Sequence, residues 1–158
     1  MFELTPERRA MPIMTYPGLE LTGRTILQIV NDGQAQFDCI RAVAETYPSI
    51  AALTTMDLSV EAEAFGCPVA FSDAEVPAVS ARIVSSAEDV ANLKVPPIGS
   101  RRTAQYLKAA ELTALHVTDR PTLGGVIGPF SLAGRLYVFP ENMVDLLLEP
   151  AVIHALLE

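Results

Sequence analysis

An acid stands at position 57 of this chain, at the kind of junction where chemistry is easiest to build. The stretch Ile50-Ala-Ala-Leu-Thr-Thr-Met56-Asp57-Leu-Ser-Val-Glu61-Ala-Glu63-Ala-Phe65-Gly66 passes from an apolar, β-branched run into a short helical pattern. In an α/β barrel the carboxyl ends of the strands carry the functional groups, so a carboxylate there is the leading candidate catalytic residue. Asp57 also suits a second role, capping the following helix by accepting a bond from the N–H of Ser59 or Val60. Glu61 lies one helical turn further on and shares its face, whereas Glu63 points elsewhere and reads as solvated. Met56, beside the acid, and Tyr16, at the end of an earlier apolar run, are candidate lining residues.

A second cluster of candidates follows Gly124-Gly125. Gly128-Pro129-Phe130-Ser131 ends another apolar run, so Gly128, Phe130 and Ser131 are expected at the mouth of the same pocket. The glycines lack the GK[ST] of a phosphate loop and the spacing of a dinucleotide fingerprint; close backbone approach at a strand and a sharp turn account for them better. Cys39, Cys67, His116 and His154 do not pair at the two-to-five-residue spacings of zinc sites, so no metal ligand is assigned. Cys39 and Cys67 read as small buried apolar residues, His116 as a cation near a helix end, and His154 as a side chain reaching the surface.

The elements that must position these residues read as strands alternating with helices. Strands are expected at Ala10 to Thr15, at Ile50 to Thr55 and at Pro121 to Ile127, the first closed by a Tyr16-Pro17-Gly18 loop. The helical pattern from Thr22 carries Ile26, Ile29 and Val30 on one side; a second helix carries Phe37, Ile40, Ala44 and Tyr47 and stops at Pro48. Cys67 to Phe71 and Ala78 to Val84 look like extended arms of an excursion punctuated by Pro68, Pro77, Pro96 and Pro97. Arg101 to Val117 is helical, with Tyr106, Leu107, Ala110, Leu112 and Leu115 on the apolar side. A last helical section begins near Pro140 and restarts at Pro150, a residue favoured in a first turn.

Composition narrows the partners. At 158 residues, half of them apolar, the chain is long enough for one domain with its own core. A net charge of -8 with only 11 Lys and Arg offers no basic stripe, which argues against nucleic acid and against an anionic membrane surface. No apolar run approaches the roughly 20 residues that span a bilayer, and Glu3, Glu7, Arg8 and Arg9 occupy the place of a signal-peptide core. A cytoplasmic location with reduced thiols is expected. Three strand-then-helix units in a row imply a parallel sheet with right-handed crossovers. Three such strands leave open edges, so the expected fold is an incomplete α/β (βα)8 TIM barrel spanning residues 1–158, completed by further chain, by a second copy as a homodimer, or by a partner chain.

The segments MDLSVEAEAFG (Met56 to Gly66) and GGVIGPFSLAG (Gly124 to Gly134) together resemble the uroporphyrinogen decarboxylase superfamily, most closely its methylcobalamin:coenzyme M methyltransferase branch. The resemblance runs over nearly all of this chain and over the N-terminal half of a typical member. It implies a (βα)8 barrel in which Asp57 sits at the pocket mouth, the place where the decarboxylase binds the pyrrole nitrogens of its tetrapyrrole substrate. Decarboxylases carry an arginine-rich Met-Arg-Gln-Ala-Gly-Arg-Tyr loop after strand one; here the same place reads Met14-Thr-Tyr-Pro-Gly-Leu-Glu20, without arginine. That departure favours the methyltransferase branch, and with it transfer of a methyl group from methylcobalamin on a corrinoid protein to a thiol. Zinc is implied too, its ligands belonging to later strands than those found here. A divergent decarboxylase and a non-catalytic half-barrel that binds a corrinoid or tetrapyrrole are the alternatives.

Overall fold

The computed structural model describes residues 10–14, 16–137 and 150–157. Helix α1 (Pro17–Thr22) begins on proline, whose fixed φ suits a first turn, and ends at Gly23 with a φ of 65°. In α2 (Ile26–Asn31) a capping box closes the start: Gln28 N–H donates to the Thr25 hydroxyl and Thr25 N–H to the Gln28 side chain. Asp32 caps α3 (Gly33–Thr46) by accepting from Gln34 N–H at 2.9 Å. Strand β1 (Ala52–Leu53) leads into α4 (Val60–Phe65), and β2 (Val69–Ala70) and β3 (Ala78–Val79) form the excursion. Then come α5 (Ala87–Asn92), α6 (Thr103–His116), β4 (Thr122–Leu123), α7 (Pro129–Leu136) and α8 (Pro150–Leu157).

Strands β1 and β4 pair in parallel, with Ala52 opposite Thr122 and Leu53 opposite Leu123, while β2 and β3 pair antiparallel. A parallel pair cannot be joined by a hairpin, so the chain from β1 to β4 crosses over through α4, α5 and α6. Helices α3 and α6 pack together over the pair, joining Phe37, Ile40, Ala44, Ala52, Ala109 and Val117 in one buried cluster. Their approach depends on Gly33: a Cβ there would lie 2.5 Å from the Gln105 carbonyl oxygen. A second cluster gathers Ile26, Ile29, Val30, Ala35 and Cys39 under Tyr16 and Leu19, and a third gathers Ala62, Cys67, Val84 and Leu136.

The architecture is α/β with parallel strands, as expected, but several elements differ from the sequence reading. Residues 10–14 carry no strand; Ala10 accepts one backbone bond from Ile50 N–H, and Pro12 has no N–H to extend a ladder. Thr15 lies outside the described residues. Pro17-Gly18 is not a loop but the start of α1, where Gly18 lies against Cys39 so closely that a Cβ would meet its carbonyl oxygen at 2.7 Å. The strand expected to reach Ile127 stops at Leu123, before two glycines that weaken β structure. Helix α6 buries Ala109 and Thr113, whereas Leu107 and Leu115, placed on its apolar side, are 49% and 62% exposed. The helical section expected near Pro140 lies outside the described residues, while α8 does begin at Pro150.

Candidate functional site

Asp57 follows β1 and ends in a fully enclosed position. The Asp57 side chain has 0% exposure, and Arg102, at the start of α6, has 6%. Oδ1 of Asp57 accepts from Ser59 N–H at 2.8 Å and from the Ser59 hydroxyl at 2.6 Å. The other oxygen, Oδ2, accepts from Arg102 Nη1 at 2.6 Å and from the Tyr106 hydroxyl at 2.9 Å. Arg102 also donates from Nη2 to the Ser59 hydroxyl at 2.9 Å and from Nε to Glu63, and its guanidinium lies 4.9 Å from the centre of the Phe71 ring. Asp57 accepts from Ser59 N–H as the capping reading expects, but Ser59 is itself the N-cap of α4 and that helix has no side-chain cap, so the bond closes the turn ahead of the helix.

This cluster forms one wall of a cavity of about 320 Å³ between the carboxyl ends of β1 and β4. Met56, Asp57, Leu58 and Glu61 come from the β1 side; Gly124 to Ile127 come from the β4 side; Tyr106, Leu107 and Ala110 come from α6, and Pro96 to Gly99 from the loop before it. Two side-chain to backbone bonds tie the halves together. Thr54 accepts from Gly125 N–H at 2.8 Å, and Glu61 accepts from Ile127 N–H at 3.2 Å. Among the described residues the lining is chiefly aliphatic and contains no Arg, Lys or His.

Of the residues singled out from sequence, Met56, Asp57 and Glu61 line this cavity together. Phe130 and Ser131 line a neighbouring cleft with Arg82 and Arg135, and Leu58 borders both spaces. Gly128 is the N-cap of α7, a helix that begins where the sequence reading ended a strand. Tyr16 packs on the second cluster, its hydroxyl buried without a hydrogen-bond partner among the described residues. Burial, and then the nearby Asp57 charge, push the Tyr16 phenol above its ordinary pKa.

Three participants escaped the sequence reading. Glu63 is not solvated; its side chain is 13% exposed and pairs with Arg102. Tyr106 appeared only as an apolar residue, and Arg102 did not appear at all. The available signal for Arg102 was its place at the start of a helix, where the macrodipole disfavours a cation. Burial pulls the Arg102 guanidinium down, but the hydrogen bond and charge of Asp57, then those of Glu63, outweigh it and hold Arg102 above the usual arginine range.

Tyr106 is pushed well above the ordinary tyrosine value, first by burial and then by the adjacent Asp57 charge and hydrogen bond. A raised folded-state pKa contributes stability that is complete below the unfolded value of about 10 and is lost as the pH climbs beyond it. The urea midpoint of the wild type is therefore expected to fall steeply above about pH 10, and the Tyr106→Phe variant to show a shallower decline. Equal slopes for the two proteins would contradict the buried, neutral phenol.

No group of three or more His, Cys, Asp or Glu capable of holding a metal occurs among the described residues. Cys39 and Cys67 sit in different clusters, the first against the Thr22 hydroxyl at 3.1 Å and the second against the Arg135 carbonyl, and burial raises both thiols above their ordinary pKa. These residues do not fit a zinc site. No helix among the described residues is long and apolar enough to cross a membrane.

Comparison with known proteins agrees with the two motifs. Residues 4–158 match the model of the uroporphyrinogen decarboxylase (URO-D) family. The methylcobamide:CoM methyltransferase MtbA of Methanosarcina acetivorans and that of Methanosarcina mazei are each 34% identical over 82 residues, covering 51% of this chain and 24% of the relative. A solved methyltransferase from Methanosarcina mazei superposes with a TM-score of 0.84 at 19% identity, over 98% of this chain and 48% of that one, which establishes a common fold. The chain spans less than half the length of these relatives.

Proposed function

The chain belongs to the uroporphyrinogen decarboxylase family, and from that membership we propose that it forms the first part of a (βα)8 barrel serving methyl transfer from a methylated corrinoid protein to a thiol. The observation that supports this branch over tetrapyrrole decarboxylation is the charge of the cavity wall. A substrate bearing many carboxylates needs guanidinium forks. Among the described residues none lines this cavity, and Arg102 is committed to Asp57 and Glu63 behind the wall. A polycarboxylate would meet Glu61 instead.

At about 320 Å³ the cavity is near the lower end of small-molecule sites, roughly 300–1,000 Å³, and suits a small thiol acceptor. The corrinoid, carried on its own protein, stays at the mouth. In this reading Met56 and Glu61 face the acceptor, Asp57 holds the polar wall with Tyr16 behind it, and Phe130 and Ser131, set by the turn at Gly128, meet the incoming partner. Strands β1 and β4 pair only with each other among the described residues. Further strands, from a longer chain, a second copy or a partner polypeptide, complete the barrel, and any zinc ligands come with them.

Calorimetric titration separates the branches. Methylcobalamin is expected to bind and uroporphyrin, a stable polycarboxylate, not to. Val126→Glu, at a mouth residue that is 78% exposed, is expected to weaken methylcobalamin about tenfold, or about 1.4 kcal/mol. Tighter binding of uroporphyrin would transfer the protein to the decarboxylase branch, and binding of neither would remove the reading.

A further inference from the structure

The turn that delivers Arg102 into the site runs against local preference in two ways. Gly99 has a φ of 81° and Arg101 a φ of 51°, so two residues of the Gly99-Ser100-Arg101 bend are left-handed, and one of them carries a full side chain. Arg102 then takes the N-cap position of α6, a helix with no side-chain cap, and sets a positive charge where the helix dipole is already positive. Strain of this kind persists only where surrounding contacts over-determine it. Here those contacts are Asp57, Glu63, Ser59 and the face of Phe71.

The acceptor capacity of Asp57 is also fully used. An ionised carboxylate offers about four lone-pair positions. Ser59 takes two of them through its N–H and hydroxyl, and Arg102 and Tyr106 take the others. A ligand entering the cavity finds no unused oxygen on Asp57, while Tyr106, held by Asp57, lines the space it enters. We propose that Arg102 is a positioning residue: it fixes the Asp57 carboxylate and, through it, the Tyr106 ring, so that on this wall a ligand meets the held Tyr106 ring rather than the Asp57 carboxylate. The inference rests on the cavity being the substrate site, and it assigns the Tyr106 wall to an uncharged part of the ligand, opposite no free oxygen of Asp57.

The shape of arginine is essential to this role, because one guanidinium meets Asp57, Ser59 and Glu63 from three nitrogens at once, which a lysine ammonium cannot do from one point. The test is 19F NMR of protein labelled with 3-fluorotyrosine. The protein has 4 tyrosines and no tryptophan, and the Tyr106→Phe variant assigns the signal. Tyr106 faces Asp57, Arg102 and Tyr16 as its charged or titratable neighbours. In the wild type the Tyr106 resonance is expected well displaced from that of free 3-fluorotyrosine, as for a ring held in one place by Asp57. In folded Arg102→Lys, charge is retained but the fork is lost, and the Tyr106 line is expected to move at least halfway toward the shift of free 3-fluorotyrosine as the ring leaves its fixed place.

Should Arg102→Lys not fold, Ser59→Ala removes only the bridging hydroxyl and is expected to move the Tyr106 line part of the way. A folded variant of either kind whose Tyr106 line stays at the wild-type position overturns the proposal. This readout needs no ligand, so failure of methylcobalamin to bind would fall on the functional reading alone.

Discussion

Asp57→Ala is expected to lower the unfolding free energy by about 3–5 kcal/mol, the cost of removing one partner from a buried ion pair. The pair is at 0% and 6% exposure, so solvent does little to screen it. Without the carboxylate, Arg102 keeps Glu63, the Ser59 hydroxyl and the face of Phe71, and both the Ser59 N–H and the Tyr106 hydroxyl lose their acceptor. Natural domains hold about 5–15 kcal/mol in all, so the variant is expected to be partly unfolded at ambient temperature. Urea denaturation followed by circular dichroism measures the loss. The companion Asp57→Ala/Glu63→Gln/Arg102→Met is expected to be more stable than Asp57→Ala alone, because all three charges of the cluster are removed together and none is left buried without a partner. A loss below about 1 kcal/mol for the single variant would show that the pair is as weak as a surface salt bridge.

Gly33→Ala should be the second most damaging single change, at about 1–3 kcal/mol, the usual range for overpacking a close contact. The added Cβ would fall 2.5 Å from the Gln105 carbonyl oxygen and 2.9 Å from Lys108 Cβ, both on α6. Neither atom is the far end of a flexible chain, so the two helices must separate. Separation also stretches the bond from Gly33 N–H to the Gln105 side chain, now 2.9 Å, and loosens the Phe37, Ile40, Ala109 cluster beneath. Alanine is favoured over glycine in a helix by up to about 1 kcal/mol, which offsets only part of the clash. Gly124→Ala is the control: its Cβ would meet nothing within 4 Å, and a change within about 0.5 kcal/mol is expected. Similar thermal shifts for the two variants would show that the α3–α6 approach is not limited by Gly33.

Much of the frame was legible because it is local. The alternation of β-branched runs with 3.6-residue patterns marks α3, α6 and the two strand cores, and the Ile50–Asp57 junction marks where an acid leaves a strand. The misplaced elements are those where a neighbour overrode local preference. Pro17-Gly18 signals a loop by composition, yet it starts a helix whose glycine is required by Cys39. Gly128-Pro129 signals a strand end, yet proline is also a good first helical residue, and α7 carries Phe130 and Ser131 into the cleft beyond Leu58. Leu107 and Leu115 follow a helical pattern, yet α6 turns Ala109 and Thr113 inward because only small side chains fit against α3 and the sheet.

The sequence by itself determined that an acid stands at a strand end of a parallel α/β chain of the uroporphyrinogen decarboxylase family, since alternation, turn residues and two motifs are all written in contiguous residues. Only the tertiary structure decided what that acid does. Arg102 lies 45 residues from Asp57 and Tyr106 lies 49, across an excursion whose length gives no hint of where it returns. An arginine in a sequence carries the same charge wherever it stands; burial and the closing of α6 over β1 turn this one from a surface cation into the partner of Asp57.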